Sequence, residues 1–373
     1  MALEFLTEGL NFKCVDADLG KICADNCQLK LDKCQEICDD PNCTSRCQGQ
    51  WLDCVNACPC YSGCPDGCQN CPNSICNSPL HHLLIIDGRM SEWNKGMHWN
   101  SYTEEIDYRN FDYQVNEFDI EDSCYVMLNG EHWLIGGWFN PNGVAKVEDC
   151  KVSRQSTTLE LPFHGGMFGS CAAYNGKIWT CFDGKEGRAN QCMTFDGVRQ
   201  EIVAHETTRG HDWADLVVYE NELVTIGGCD GEGEERECHG FTEIYVEETG
   251  WYSNLGSNFP VHALSGHALV SDPRGIVIIT DTENNKTIYR LDFIDLPSGE
   301  FVYRWDTLGK LRAPALNISA TNLLEAVFVG YNKLERITTG PFELTSSIVY
   351  DTGLNLRLDH APMLIVDENF CKE

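Results

Sequence analysis

Six short apolar runs recur after residue 80: LLIIDG (83–88), WLIGGW (133–138), IWTCFDG (178–184), LVTIGG (223–228), IVIITD (276–281) and AVFVGY (326–331). Counted between Ile86, Ile135, Thr180, Ile226, Ile279 and Phe328, they stand 49, 45, 46, 53 and 49 residues apart. Each is rich in β-branched or aromatic residues and carries Gly, Asp or both at or near its end. A period of this length means a stacked array of small supersecondary units, none of which buries its apolar face alone.

The segments around each run supply partner strands. CYVMLNGEH (124–132), CAAYNGK (171–177), LVVYENE (216–222) and HALVSDPRG (267–275) precede their runs. Asn129-Gly130 and Asn175-Gly176 are strong two-residue hairpin signals. More polar third strands are expected at 103–108, 145–150, 191–197, 242–248, 286–292 and 334–339, and fourth strands at segments such as TTLELP (157–162) and FVYRWDT (301–307). Four antiparallel strands per repeat describe a propeller blade. The first unit lacks a strand before its run, whereas HAPMLIVD (360–367) has the form of an inner strand with nothing after it. The sequence thus predicts a mainly β, six-bladed propeller over residues 80–373, closed by its carboxy-terminal strand so that neither edge is left unpaired.

The paired glycines 136–137 and 227–228, the apolar run before each pair and aromatic residues after the third strand, such as Trp251, resemble the kelch repeat. At the other blades the glycines are degenerate. Some kelch-like propellers are copper radical oxidases, which use a cross-linked Tyr and Cys with two His; no residues here match that set.

Residues 1–79 obey a different rule. Of 22 cysteines, fourteen precede residue 80. Cys23, Cys27, Cys34 and Cys38 lie at offsets 0, 4, 11 and 15, one stripe of a helix, and Cys43, Cys47, Cys54 and Cys58 repeat them. Asp39-Asp40-Pro41-Asn42 between the two sets suits a turn. A helical hairpin over 21–58 places Cys38 opposite Cys43, Cys34 opposite Cys47, Cys27 opposite Cys54 and Cys23 opposite Cys58. That register is the one simple antiparallel arrangement that leaves no cysteine unfaced. Spacing alone does not fix connectivity, and a structural metal or catalytic thiols remain alternatives. Segment 59–79, broken by Pro and Gly, reads as an irregular disulfide-held knot. This arrangement of a Cys-x3-Cys hairpin and knot resembles modules of secreted marine invertebrate proteins.

Within the propeller, Cys181 with Cys192 and Cys229 with Cys238 read as local stitches, and Cys124 with Cys171 as a bridge between neighbouring blades. Pairing stays open for Cys14, Cys60, Cys64, Cys68, Cys71 and Cys76. Cys150 and Cys371 are left unassigned too, with the amino-terminal knot or another subunit as partners open to either. So many cysteines place the chain in an oxidising, extracellular or secretory compartment. The segment MALEFLTEGLNFKC has neither the basic nor the apolar region of a signal peptide, so one is expected upstream if the chain is secreted. Glycan acceptor motifs stand at Asn42, Asn285 and Asn317.

With 57 acidic against 27 basic residues, the net charge of −30 excludes nucleic acid and anionic membrane as natural partners. It suits solubility in a salty medium, with calcium or a basic protein surface as further readings, although no EF-hand loop is present. No cofactor is predicted. His211 and His267 precede inner strands and His360 opens the closing one, repeat-equivalent places that favour packing or capping; His81-His82 fall at the expected seam. The most polar cluster is His211, Asp212 and Asp215, a candidate ligand face, but no nucleophile stands beside a base. On the hairpin, Leu29, Leu31, Trp51 and Leu52 form a candidate interface, or pack on the chain's own propeller edge. These features favour a non-enzymatic extracellular assembly protein that contacts other proteins or its own copies, head to tail. A lectin-like or receptor-like binding module is the second reading, and a propeller enzyme the third.

Overall fold

In the computed structural model the described residues run from His82 to Cys371, apart from short segments that include 87–94, 114–121, 260–265, 281–286, 296–300, 313–317 and 352–360. The expected helical hairpin, its eight-cysteine ladder and the knot lie outside them. So do Asn42, Asn285, Asn317, His81, His360, Leu29, Leu31, Trp51 and Leu52.

Six blade sheets of four antiparallel strands follow one another along the chain; among the described residues Asp112–Tyr113 adds a parallel fifth strand to the outer edge of the second, and Cys229–Asp230 pairs with Glu237–Cys238 as a separate ribbon. In blade 4, for example, Leu216–Tyr219, Glu222–Ile226, Thr242–Val246 and Gly250–Ser253 run from the innermost strand outward. The second strands are the apolar runs of the repeat. Buried on both faces, they read as continuous hydrophobic segments rather than alternating ones. Leu83 to Ile86 and Ile276 to Ile279 are each at most 1% exposed. Inner and second strands meet in tight hairpins. Asn129 and Gly130 (φ 54° and 81°) and Asn175 and Gly176 (φ 47° and 71°) take the left-handed conformations such turns demand.

The ring closes through its carboxy-terminal strand. Met363–Val366 pairs antiparallel with His82–Ile86, supplying the inner strand that blade 1 lacks. Its residues fill two inter-blade cores. Leu364 and Val366 pack with Leu84, Leu134 and Val147 toward blade 2, and Met363 packs with Trp99 and Phe328 toward blade 6.

Two strand expectations need correction. In blade 1 the third strand is Lys95–Asn100, and the segment expected there lies at the outer edge as Ile106–Asn110. In blade 2 the outer strand is Lys151–Arg154, not 157–162. A tight turn with Cys150 at φ 62° brings the chain back early. The following segment instead gives the Leu159 and Phe163 amides to the Asn142 and Pro141 carbonyls. Cys150 pairs with Cys371, reaching neither the amino-terminal knot nor another subunit, because both sit where the chain leaves the closing strand beside blade 2. Cys124 is bonded to Cys171, Cys181 to Cys192 and Cys229 to Cys238.

Candidate functional site

An antiparallel meander puts its second-to-third-strand loops and its blade-to-blade connections on one face of the ring. On that face the connection from blade 3 to blade 4 carries His211, Asp212 and Asp215. It is zipped first to blade 3, where the Thr207 and His211 amides donate to the Asn190 and Ala189 carbonyls. It then crosses to blade 4 through reciprocal backbone bonds between Asp212 and Cys229. Close approach is what blade 4's diglycine permits. Gly228 has φ 94°, and a Cβ there would lie 2.7 Å from the His211 backbone. In blade 2 a Cβ on Gly136 would lie 1.9 Å from the Phe163 carbonyl oxygen.

The three clustered polar residues part company in the fold. His211 is fully buried; its Nδ1 bonds to the Gly227 carbonyl and its Nε2 lies 3.6 Å from a Glu243 oxygen. Asp212, 1% exposed, pairs with Arg236, whose guanidinium stacks 4.2 Å over the Trp213 ring. Trp213 takes φ 65°, a left-handed conformation costing roughly 1–2 kcal/mol in a non-glycine residue. Asp215 turns toward blade 5. Its carboxylate accepts the Leu216 amide at 2.7 Å and the Leu269 amide at 2.9 Å. Burial pushes its pKa up to about 6, against the lowering effect of those two amides.

Behind them stands Glu243, fully buried in blade 4's third strand. It accepts the Thr208 amide at 3.1 and 3.0 Å and the Thr208 hydroxyl. Burial drives its pKa upward, but the bonds from His211 and Thr208 outweigh burial and hold it below the ordinary value. Blade 6 repeats the device. Fully buried Glu335 accepts the Arg312 amide at 3.3 and 3.2 Å and the Tyr331 hydroxyl at 2.8 Å. In both blades a buried third-strand glutamate clasps the connection arriving from the preceding blade. Sequence reasoning missed this pair; its signal is a glutamate near the start of two repeat-equivalent third strands, TEIYV and KLERITT.

Two more buried histidines complete the region. His239 bonds the Gly210 carbonyl at 2.8 Å, and burial, with His211 beside it, lowers its pKa. Burial pushes His267 down to about 3. Among the described residues no group of three or more His, Cys, Asp or Glu is placed to hold a metal ion, and no helix is long and apolar enough to cross a membrane.

Beside these clasps a cavity of about 260 Å³ opens between blades 3 and 4, lined by Asn190, Thr208, Arg209, Gly210, Asp230 and Gly231 among others. The Asp230 carboxylate accepts the Gly210 amide, and its other oxygen lies 3.6 Å from Arg209. Arg209 stacks 5.3 Å over Phe241 and is half exposed.

No protein-family model matches the chain, and no curated protein sequence matches it. Among solved structures it is similar to one titled "Structure of YjhT", at 10% identity and a TM-score of 0.46, with 66% of this chain and 97% of that chain covered.

Proposed function

We propose that this chain is a non-enzymatic, secreted structural or assembly protein, a kelch-like propeller used for protein contacts, with self-association as the leading form of contact. The observation that carries this reading is where the propeller's reactive side chains go. His211, Glu243 and Glu335 are fully buried in blade-to-blade clasps, and all eight propeller cysteines are in disulfides. Such a ring is a rigid platform with two loop-bearing faces. The disulfides fit an oxidising compartment, in keeping with secretion.

Molar mass by light scattering, across salt and calcium concentrations and with and without reductant, tests the proposal. With a net charge of −30, copies repel at low ionic strength, so assembly is expected to grow as salt screens them or calcium bridges acidic loops. A mass fixed at 41.9 kDa in every condition would remove the self-assembly reading. The second reading, a soluble ligand-binding module, is favoured by the polar cavity between blades 3 and 4.

A further inference from the structure

We propose that the cavity between blades 3 and 4 is a binding site for a single neutral sugar ring, free or at the end of a glycan. The inference develops the ligand-binding reading and does not depend on self-assembly.

Volume and chemistry together set the ligand class. At about 260 Å³ the space is small and suits one ring-sized ligand rather than an extended one. It falls below the ~300–1,000 Å³ of apolar clefts that take drug-sized molecules, and its wall sets the polar Asn190, Thr208, Arg209 and Asp230 among glycines and Ala189. Arg209 and Asp230 stand side by side, 3.6 Å apart at nearest approach, too far for a good direct hydrogen bond. A planar donor fork therefore lies next to a planar acceptor pair, each able to engage vicinal hydroxyls in two-point fashion. Their charges cancel locally. An anion would meet Asp230 within a molecule of net charge −30, and a cation would meet Arg209. A neutral polyol satisfies both groups without an unpaired charge.

The wall is also held rigid, which a polar site needs if weak bonds are to give useful affinity. Glu243 fixes Thr208 through its amide and hydroxyl. Gly210 is fixed twice, its amide on Asp230 and its carbonyl on His239. The Cys229–Cys238 bond closes the hairpin that carries Asp230 and Gly231. Exposed Gly231 and half-exposed Arg209 keep the cavity open to solvent.

The test is saturation-transfer NMR on the full chain with the methyl glycosides of glucose, galactose and mannose, beside glucuronate, glucosamine and glycine as charged and zwitterionic comparators. At least one neutral hexoside is expected to receive saturation, and the comparators none. The isosteric R209Q and D230N variants are each expected to weaken that binding by about tenfold or more, since each removes a charge-assisted hydrogen bond. R209Q should keep the parent's thermal midpoint and light-scattering mass, and D230N, whose amide oxygen can still accept the Gly210 amide, should keep the mass and a folded spectrum, which separates loss of the site from loss of fold and from any failure of assembly. Saturation of no hexoside, stronger saturation of glycine or a charged sugar, or undiminished binding by both variants would each overturn the proposal.

Discussion

Blades 1 to 3 and blades 4 to 6 solve the same problem with a different balance of chemistry. Each blade must be held against its neighbour, because a single four-stranded sheet has two apolar faces to cover. In the first half two ties are covalent, Cys124–Cys171 joining blades 2 and 3 and Cys150–Cys371 anchoring the segment beyond the closing strand to blade 2, and one is polar, the buried Asp183 carboxylate of blade 3 accepting the His164 amide at 3.1 Å. In the second half they are part-buried hydrogen bonds to carboxylates. Glu243 secures blade 3's connection to blade 4, Asp215 joins blade 4 to blade 5, and Glu335 secures blade 5's connection to blade 6. The covalent ties respond to reductant, whereas Glu243, held below its ordinary pKa, and Asp215, pushed above it by burial, respond to protons with opposite sign. A closed ring of near-identical units can therefore carry two separate environmental sensitivities.

The largest effect is expected at the seam. Truncation before His360 removes Met363, Leu364 and Val366 and strips cover from Leu83 to Ile86, so cooperative unfolding should be lost. A truncated protein that unfolds with the parent midpoint and cooperativity would mean the ring does not depend on this strand.

Next comes the covalent half. Replacing both Cys150 and Cys371 by Ser is expected to lower unfolding free energy by about 2–5 kcal/mol, since the bond spans a 221-residue separation. Removing Cys181–Cys192, with a separation of 11, should cost less. Chemical denaturation of both variants checks the order, and the reverse order would show that loop closure is not how these bonds act.

In the polar half, Glu243→Ala and Glu335→Ala are each expected to cost about 1–3 kcal/mol in total, because the buried His211 ring and Tyr331 hydroxyl lose their partners while the part-buried Thr208 and Arg312 amides keep access to water. The Gln variants should cost less, because one acceptor oxygen remains. Unfolding in urea measures both, and an Ala variant as stable as the parent would contradict the clasp.

The smallest effects are pH slopes. His267, with its pKa pushed down to about 3 from 6.5, contributes stability that is present above pH 6.5 and lost as pH falls toward 3. Asp215, raised from 3.8 to about 6, has the opposite sign: its contribution is present below about pH 4 and lost as pH rises through 6. Between pH 4 and 6 the two oppose one another, each with a slope of at most about 1.4 kcal/mol per pH unit. D215N should therefore steepen the acid loss in that interval and H267N should flatten or reverse it. Identical profiles for both variants would remove these groups from the account.

What was legible in the sequence follows from the range of each interaction. The second strands could be read because they are buried on both faces, and the closing strand because two incomplete ends fit each other. Cys181 and Cys192 face one another across a hairpin, so spacing is informative; Cys150 and Cys371 are adjacent only once the ring has closed. The polar cluster misled for a related reason. Neighbours in sequence, His211, Asp212 and Asp215 are drawn to Glu243, Arg236 and Leu269, on three different segments. The cavity draws Asn190 and Asp230 from two strands and Arg209 from the loop between adjoining blades, with no local pattern to announce it.

Hydrogen exchange read by mass spectrometry on the full chain tests the division between the two halves most directly, with exchange corrected for its intrinsic dependence on pH. Mild reductant at neutral pH should raise exchange first in blades 2 and 3, around Cys124–Cys171 and Cys150–Cys371, and oxidised protein taken below pH 4 should show its first increase around Glu243 and His267 in blades 4 and 5. Uniform loosening around the ring in both conditions, or the two patterns interchanged, would contradict the account.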